Sequence, residues 1–326
     1  MRNTFPFNLV RVSYSPFVSL VLLGSIFFFV TATFAAETAP HSIDWLEMAK
    51  GLFGGLALFL FGMEMMSGAL KSALGSQMKV LLGKLTRTRF MAVLTGAFVT
   101  AVVQSSSVTT VLVVGFVSAG MMSMAQSVGV IMGANVGTTV TAQIVAFKVE
   151  EAALLMVAIG FIMVFVAKRE RVKHYGIMLM GLGLIFFGMG LMGDSMHQLR
   201  SYPPFLDLMT RMDNPFFAIL VGAGFTALVQ SSSATTAIVI TMAGQGLISL
   251  EAGIALAFGA NIGTCVTALL ASLGKPREAV RAAAVHVVFN VAGVLIWLPL
   301  ISVLAGWVVS ISPTHPELEG TARLGA

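Results

Sequence analysis

The sequence predicts an all-α polytopic membrane protein made of two inverted-topology repeats, each with a re-entrant helical hairpin. Three observations carry this expectation: the scarcity of charge, an internal duplication at fixed spacing, and the distribution of basic residues. Of 326 residues, 57% are hydrophobic and 10% charged, against about 25% charged in soluble domains. The 33 glycines and 21 methionines suit packed transmembrane helices, where glycine lets backbones approach closely. The net charge of +5 reads as loop charge that sets orientation rather than as a nucleic-acid surface. The single cysteine, Cys265, excludes a disulfide framework, and the five scattered histidines form no metal-ligand pattern.

The duplication is specific. Residues 96–110 read GAFVTAVVQSSSVTT and residues 222–236 read GAGFTALVQSSSATT, with eleven of fifteen positions identical. Residues 133–142 (GANVGTTVTA) and 259–268 (GANIGTCVTA) agree at eight of ten positions. Both matches fall at one ungapped offset of 126 residues, as do Phe61-Gly62-Met63 and Phe187-Gly188-Met189.

Basic residues mark the cytoplasmic side of a membrane protein. Three clusters do so here: Lys71, Lys79, Lys84, Arg87 and Arg89; Lys168, Arg169, Arg171 and Lys173; and Lys275, Arg277 and Arg281. The acidic-balanced segment from Asp194 to Asp213 is then external. Trp45–Leu70 runs inward, whereas its repeat mate, Tyr175–Gly193, runs outward, so the repeats are expected to be inverted. Ala152–Ala167 returns inward and Ala282–Val309 runs outward. Phe90–Phe147 and Pro215–Leu273 must each cross a net odd number of times. Each is too long for one span of about 20 residues, so one crossing plus a re-entrant hairpin fits. The resulting division is 1–43, a secretory signal or first transmembrane segment; 44–174, repeat 1; 175–311, repeat 2; and 312–326, a polar tail. The apolar run Phe17–Ala36 behind Arg2 and Arg11 permits either N-terminal reading.

The expected break in each hairpin is the serine triplet, because hydroxyls compete for backbone hydrogen bonds and tolerate irregular turns. Such backbone survives at membrane depth only where protein or a watery cavity covers it. The half-helix that follows begins with free N–H groups and the positive end of a dipole, which suits an anion. The freed carbonyls, with the side-chain oxygens of Gln104, Gln230, Asn135 and Asn261, suit a hard cation such as sodium. Neither motif core holds a lysine or arginine, so co-bound cations would balance an anion. Packing glue is the plainer reading of any one of these serines; it fits the duplicated cluster poorly. Gly133, Gly137, Gly259 and Gly263 read as close-packing residues. Glu64, an acid in an apolar span, has Gly190 as its repeat mate, which argues against a central role. His286 and Asn290 share a helix face and read as helix–helix hydrogen bonders. No enzyme is expected: Ser105 and Ser231 lack any Lys, His or acidic base in the motif cores.

The two QSSS segments, GANVGTTVTA, GANIGTCVTALLAS and GKPREAVRAAAVHVVFNVAGVLIWLP resemble the sodium-dependent phosphate cotransporter family, the type II sodium–phosphate symporters and their bacterial relatives, over roughly residues 45–310. The resemblance implies sodium-coupled import of inorganic phosphate by alternating access across a bacterial inner membrane. By position it implies substrate and ion binding at Gln104, Ser105, Ser106, Ser107, Thr109, Thr110, Asn135 and Thr138. Their mates in the second copy are Gln230, Ser231, Ser232, Ser233, Thr235, Thr236, Asn261 and Thr264. Sodium belongs to the same cluster with no individual ligands singled out, and as a co-transported ion rather than a cofactor. Thr139 is replaced by Cys265 in the second copy, which weakens that position. Expected partners are phosphate, sodium and membrane lipid, with a homodimer compatible and no nucleic acid. Alternatives are a sodium-coupled carrier of another small anion such as sulfate, or a truncated, non-transporting membrane subunit. Bacterial relatives often continue into further helices and a cytoplasmic helical domain, whereas this chain stops at Ala326.

Overall fold

The duplicated segments fold into helices with identical boundaries once shifted by the repeat offset. The computed structural model describes residues 43–74, 86, 88–146 and 150–311. Twelve α-helices lie among them. The long helix α1 is Trp45–Leu74. The first motif region forms α2 (Arg89–Val103), α3 (Ser106–Ser118) and α4 (Met124–Ala146). Then come α5 (Ala153–Val166) and α6 (Glu170–Met196). A short α7 (Pro203–Arg211) precedes the second motif region: α8 (Pro215–Val229), α9 (Ser232–Gly244) and α10 (Leu250–Ser272). The described residues end in α11 (Arg277–Trp297) and α12 (Ile301–Ile311). Adding 126 to the bounds of α2, α3 and α4 gives those of α8, α9 and α10. The N-terminal segment, the 312–326 tail and the basic residues Lys79, Lys84 and Arg87 fall outside the described residues.

Among the described residues, five helices are long and apolar enough to cross a membrane, or six if α7 and α8 are one span bent by 107°. Their outer faces carry large exposed apolar side chains, among them Phe61, Val136, Leu270 and Leu295. That surface requires lipid, and the chain is an all-α, multi-pass membrane protein. Proline at the first turn of α7 and α8 suits a helix start, where the missing N–H costs nothing. The expected outward run 282–309 is interrupted: Leu298–Leu300 forms a 3-10 turn around Pro299, which lacks the N–H an α-helix needs there.

The motif regions form hairpins. At α2 and α4, a Cβ added to Gly133 would meet the Val93 carbonyl oxygen at 2.0 Å, and one on Gly137 the Ala97 oxygen at 2.4 Å. Gly96 likewise abuts Val130, and Gly129 abuts Ala92. Contacts thus advance together along both helices, so α2 and α4 run parallel. Their starts adjoin, since Gln126 Nε2 donates to Thr86 Oγ1 at 3.3 Å. Because α3 ends only a short turn before α4, it must return to the side from which α2 set out. The tip at Gln104–Ser105 therefore reaches about 22 Å along α4 and turns back. In the second region Gly259 meets the Ile219 oxygen at 2.1 Å and Gly263 the Ala223 oxygen at 2.4 Å, by the same measure. These four glycines are close-packing residues.

Helices α1 and α6 run antiparallel through reciprocal glycine contacts. Gly55 faces Gly188, and Gly62 faces Gly181. At the repeat offset, Gly181 is the mate of Gly55 and Gly188 the mate of Gly62. Between the two motif regions, α3 packs on α10 and α9 packs on α4. An apolar cluster joins Val113, Val114, Val117, Met122, Val130 and Ile131 to Ala268 of late α10 and to Ala279, Ala282 and Ala283 of early α11. The end of α10 thus lies at the start of α4.

Candidate functional site

Each hairpin breaks at a glutamine. Gln104 has φ 59° and Gln230 has φ 60°, and they are the only non-glycine residues with positive φ among those described. That conformation ends α2 and α8 in a left-handed cap, which glycine or asparagine would hold at lower cost. Retaining glutamine there points to a use for its side chain. The amide oxygen of Gln104 accepts from Thr141 Oγ1 at 2.8 Å, and that of Gln230 accepts from Thr267 Oγ1 at 2.7 Å. The amide nitrogens donate to the Ala101 and Ala227 carbonyls respectively. Both hydrogen-bonded glutamines tie the hairpin tip to the long helix beside it.

The next residue starts a new helix. Ser105 is the N-cap of α3, accepting from the Val108 amide at 3.3 Å, and Ser231 caps α9, accepting from Ala234 at 3.2 Å. One turn on, Thr109 Oγ1 donates to the Ser105 carbonyl and Thr235 Oγ1 to that of Ser231, both at 3.1 Å. Thr109 and Thr235 also meet Thr100 and Thr226 across the break, at 2.9 and 2.6 Å. Hydroxyl bonds thus brace the break from both sides. The amides of Ser106 and Ser107, and of Ser232 and Ser233, fall in the first turn, where no intrahelical carbonyl can reach them.

The sequence-predicted residues divide into two groups. Gln104, Ser105, Ser106, Ser107 and Thr109 gather at the first tip, and Gln230, Ser231, Ser232, Ser233 and Thr235 at the second. Ser106 and Ser233 are buried, whereas Ser105, Ser107, Ser231 and Ser232 keep partial exposure. Thr110 and half-buried Thr236 lie further along the return arms. Asn135 is bound away from the tip: its Nδ2 donates to Asn290 Oδ1 on α11 at 3.0 Å. Its mate, Asn261, is exposed. Thr138 and Thr264 donate to carbonyls of their own helices, Ala134 at 3.1 Å and Ala260 at 2.9 Å. Asn290 does link helices, also donating to Cys265 Sγ at 3.3 Å, whereas the His286 ring makes no such bond. Glu64 faces outward from α1.

Sequence reasoning left out Thr141 and Thr267, which hold the glutamines, and Thr100 and Thr226, which brace the break. All four are identical between the copies at the repeat offset, and that identity was the available signal. Ser67 is a different case. Its hydroxyl donates from α1 to the Val103 carbonyl at 2.7 Å, yet its repeat mate is Gly193. This anchor is peculiar to the first tip, and no repeat comparison could reveal it. Among the described residues no group of three His, Cys, Asp or Glu could hold a metal.

The sequence model of the Na+/Pi-cotransporter family matches residues 58–194 and 202–309. An uncharacterised Bacillus subtilis protein, YqeW, is 34% identical over 259 residues, which cover 79% of this chain and 84% of that protein. A putative inorganic phosphate export protein of Escherichia coli, YjbB, is 28% identical over 268 residues, 82% of this chain but 49% of its own length. The sodium-dependent phosphate transport protein 2C of Rattus norvegicus is 50% identical over 86 residues, 25% of this chain and 14% of that protein. The chain therefore spans about half the length of the YjbB relative. No solved structure matches it. With both motif regions inside the matched residues, the chain belongs to the Na+/Pi-cotransporter family.

Proposed function

We propose that the protein moves inorganic phosphate across a bacterial inner membrane together with sodium, inward, by alternating access. The carrying observation is the pair of helix breaks, each made of a left-handed glutamine and a serine-capped helix start. First-turn amides and serine hydroxyls present donors toward an anion, and the adjoining helix dipole favours negative charge. Carbonyls at the ends of α2 and α8, with threonine and glutamine oxygens, offer the hard ligands sodium prefers. No charged side chain lies between Gly96 and Ala142, so the cation supplies the charge that phosphate needs. Discontinuous helices of this kind form substrate sites in many secondary transporters.

The site is composite in this reading, because each return arm packs on the long helix of the other repeat. Inverted topology is supported by the antiparallel α1–α6 pair with its exchanged glycine contacts, and by the placement of the basic clusters. A second reading reverses direction: YjbB is named for phosphate export. The test loads proteoliposomes with labelled phosphate on either side under opposed sodium gradients. Sodium-dependent accumulation is expected, lost in Ser105→Ala and Ser231→Ala at unchanged protein level. Efflux alone would make the protein an exporter, sulfate accumulation would change the substrate, and full transport by both variants would remove the site from the serine triplets.

A further inference from the structure

Among the described residues, the buried side-chain polar atoms without a hydrogen bond are Thr110 Oγ1 and both ring nitrogens of His286. His286 and Thr110 are each 0% exposed. They belong to different helices, α11 and α3, which pack together and run in opposite directions. The apolar cluster sets their register. Thr110 stands one turn from Val113 and Val114 on α3, and His286 one turn from Ala282 and Ala283 on α11. Asn135 stands one turn from Ile131 on α4, and Cys265 nearly one turn from Ala268 on antiparallel α10. In every case the step leads away from the end where α2 and α4 begin. A polar layer drawn from four helices therefore lies on top of an apolar one. Asn290 stitches the layer together, bonding Asn135 and Cys265 as well as the His286 carbonyl at 3.0 Å.

Three unmet polar atoms at one level are unlike the rest of the described interior, where the other buried side-chain oxygens and nitrogens have hydrogen-bond partners. Each unmet buried donor or acceptor costs about 1–3 kcal/mol, and a polar cavity with several partners is where internal water settles. We propose that Thr110 and His286 hold water at this level. The valine–alanine layer beneath them is the gate through which the interior hydrates from the side bearing the basic clusters. Neutral imidazole offers one donor and one acceptor and the threonine hydroxyl offers both, so water satisfies all three atoms. Small alanines on α11 let that helix shift against α3 without large side chains having to unlock. The inference rests on the transporter reading, since a gate needs a path.

The protein carries its own reporter, because Cys265 is its single cysteine and lies in the polar layer. A small, membrane-impermeant methanethiosulfonate is added to right-side-out and inside-out vesicles, with and without sodium and phosphate. Cys265 is expected to label from the basic-cluster side, at a rate that changes with sodium and phosphate. His286→Leu and Thr110→Val dry the layer and lower labelling by about tenfold, the factor a lost buried hydrogen-bonding group produces, whereas His286→Gln retains it. A misfolded variant would expose the thiol and raise labelling, the opposite sign. Equal labelling in His286→Leu and the parent protein overturns the proposal, as does labelling from the other side alone or no labelling in any condition. Ligand-sensitive labelling without any phosphate movement in proteoliposomes would instead overturn the phosphate reading and leave the gate standing.

Discussion

Gln104 and Gln230 adopt a backbone that favours glycine while spending both ends of their amides on local bonds. Gln104→Gly separates those roles. Glycine accepts a φ of 59° without strain, so the hairpin is expected to keep its helix content while the tie to Thr141 disappears. Phosphate uptake is expected to fall by about tenfold or more, the consequence of unpairing one buried hydroxyl at about 1–3 kcal/mol. Thr141→Val breaks the same bond from the other side and is expected to match it. Uptake unchanged in both would mean that the backbone turn alone, not the amide, shapes the tip.

At the scale of elements, the hairpins depend on backbone contact with the long helices beside them. A methyl group at Gly133 would lie 2.0 Å from a carbonyl oxygen of α2, and the same holds at 2.1 Å for Gly259 and α8. Gly133→Ala and Gly259→Ala are expected to force the arms apart, at about 1–3 kcal/mol each. In detergent, each should lower the melting temperature and abolish uptake. Gly224 is the control, with nothing within 4 Å of an added Cβ. Gly224→Ala on α8 is expected to leave the melting temperature unchanged or raise it, through a helix-propensity gain in stability of up to about 1 kcal/mol. Equal melting shifts at Gly224 and Gly133 would show that propensity, not close packing, governs these positions.

Across the whole molecule, the halves share a sequence but not all their contacts. Ser67 anchors the first tip to α1, whereas its mate is Gly193. Ser67→Ala is therefore expected to loosen the first hairpin selectively, seen as faster hydrogen exchange near Ser105 than near Ser231. Equal exchange at both tips would deny the anchor. Orientation is a property of the molecule as a whole: a reporter fused after Ser201 is expected to read external, and one after Lys173 cytoplasmic. Both on one side would rule out inverted repeats.

The membrane class, the duplication and the neighbourhood of the helix breaks were legible in the chain because each is a local or periodic signal, although the backbone turns at Gln104 and Gln230, just before the expected serine triplets. Charge scarcity follows from an apolar solvent, the 126-residue offset from copied residues, and the break from a hydroxyl triplet inside an apolar run. Identity between copies also carried Thr141 and Thr267, had every matched threonine been read as a partner for glutamine. Other features needed the fold. Asn135 finds Asn290 155 residues away, and Thr110 and His286 come to one level through the packing of α3 on α11. No periodicity encodes which unmatched side chain of one helix will face another, since that depends on the register of helices that only glycine contacts allow to approach. Copied sequence thus set the two tips, and long-range packing set what surrounds them.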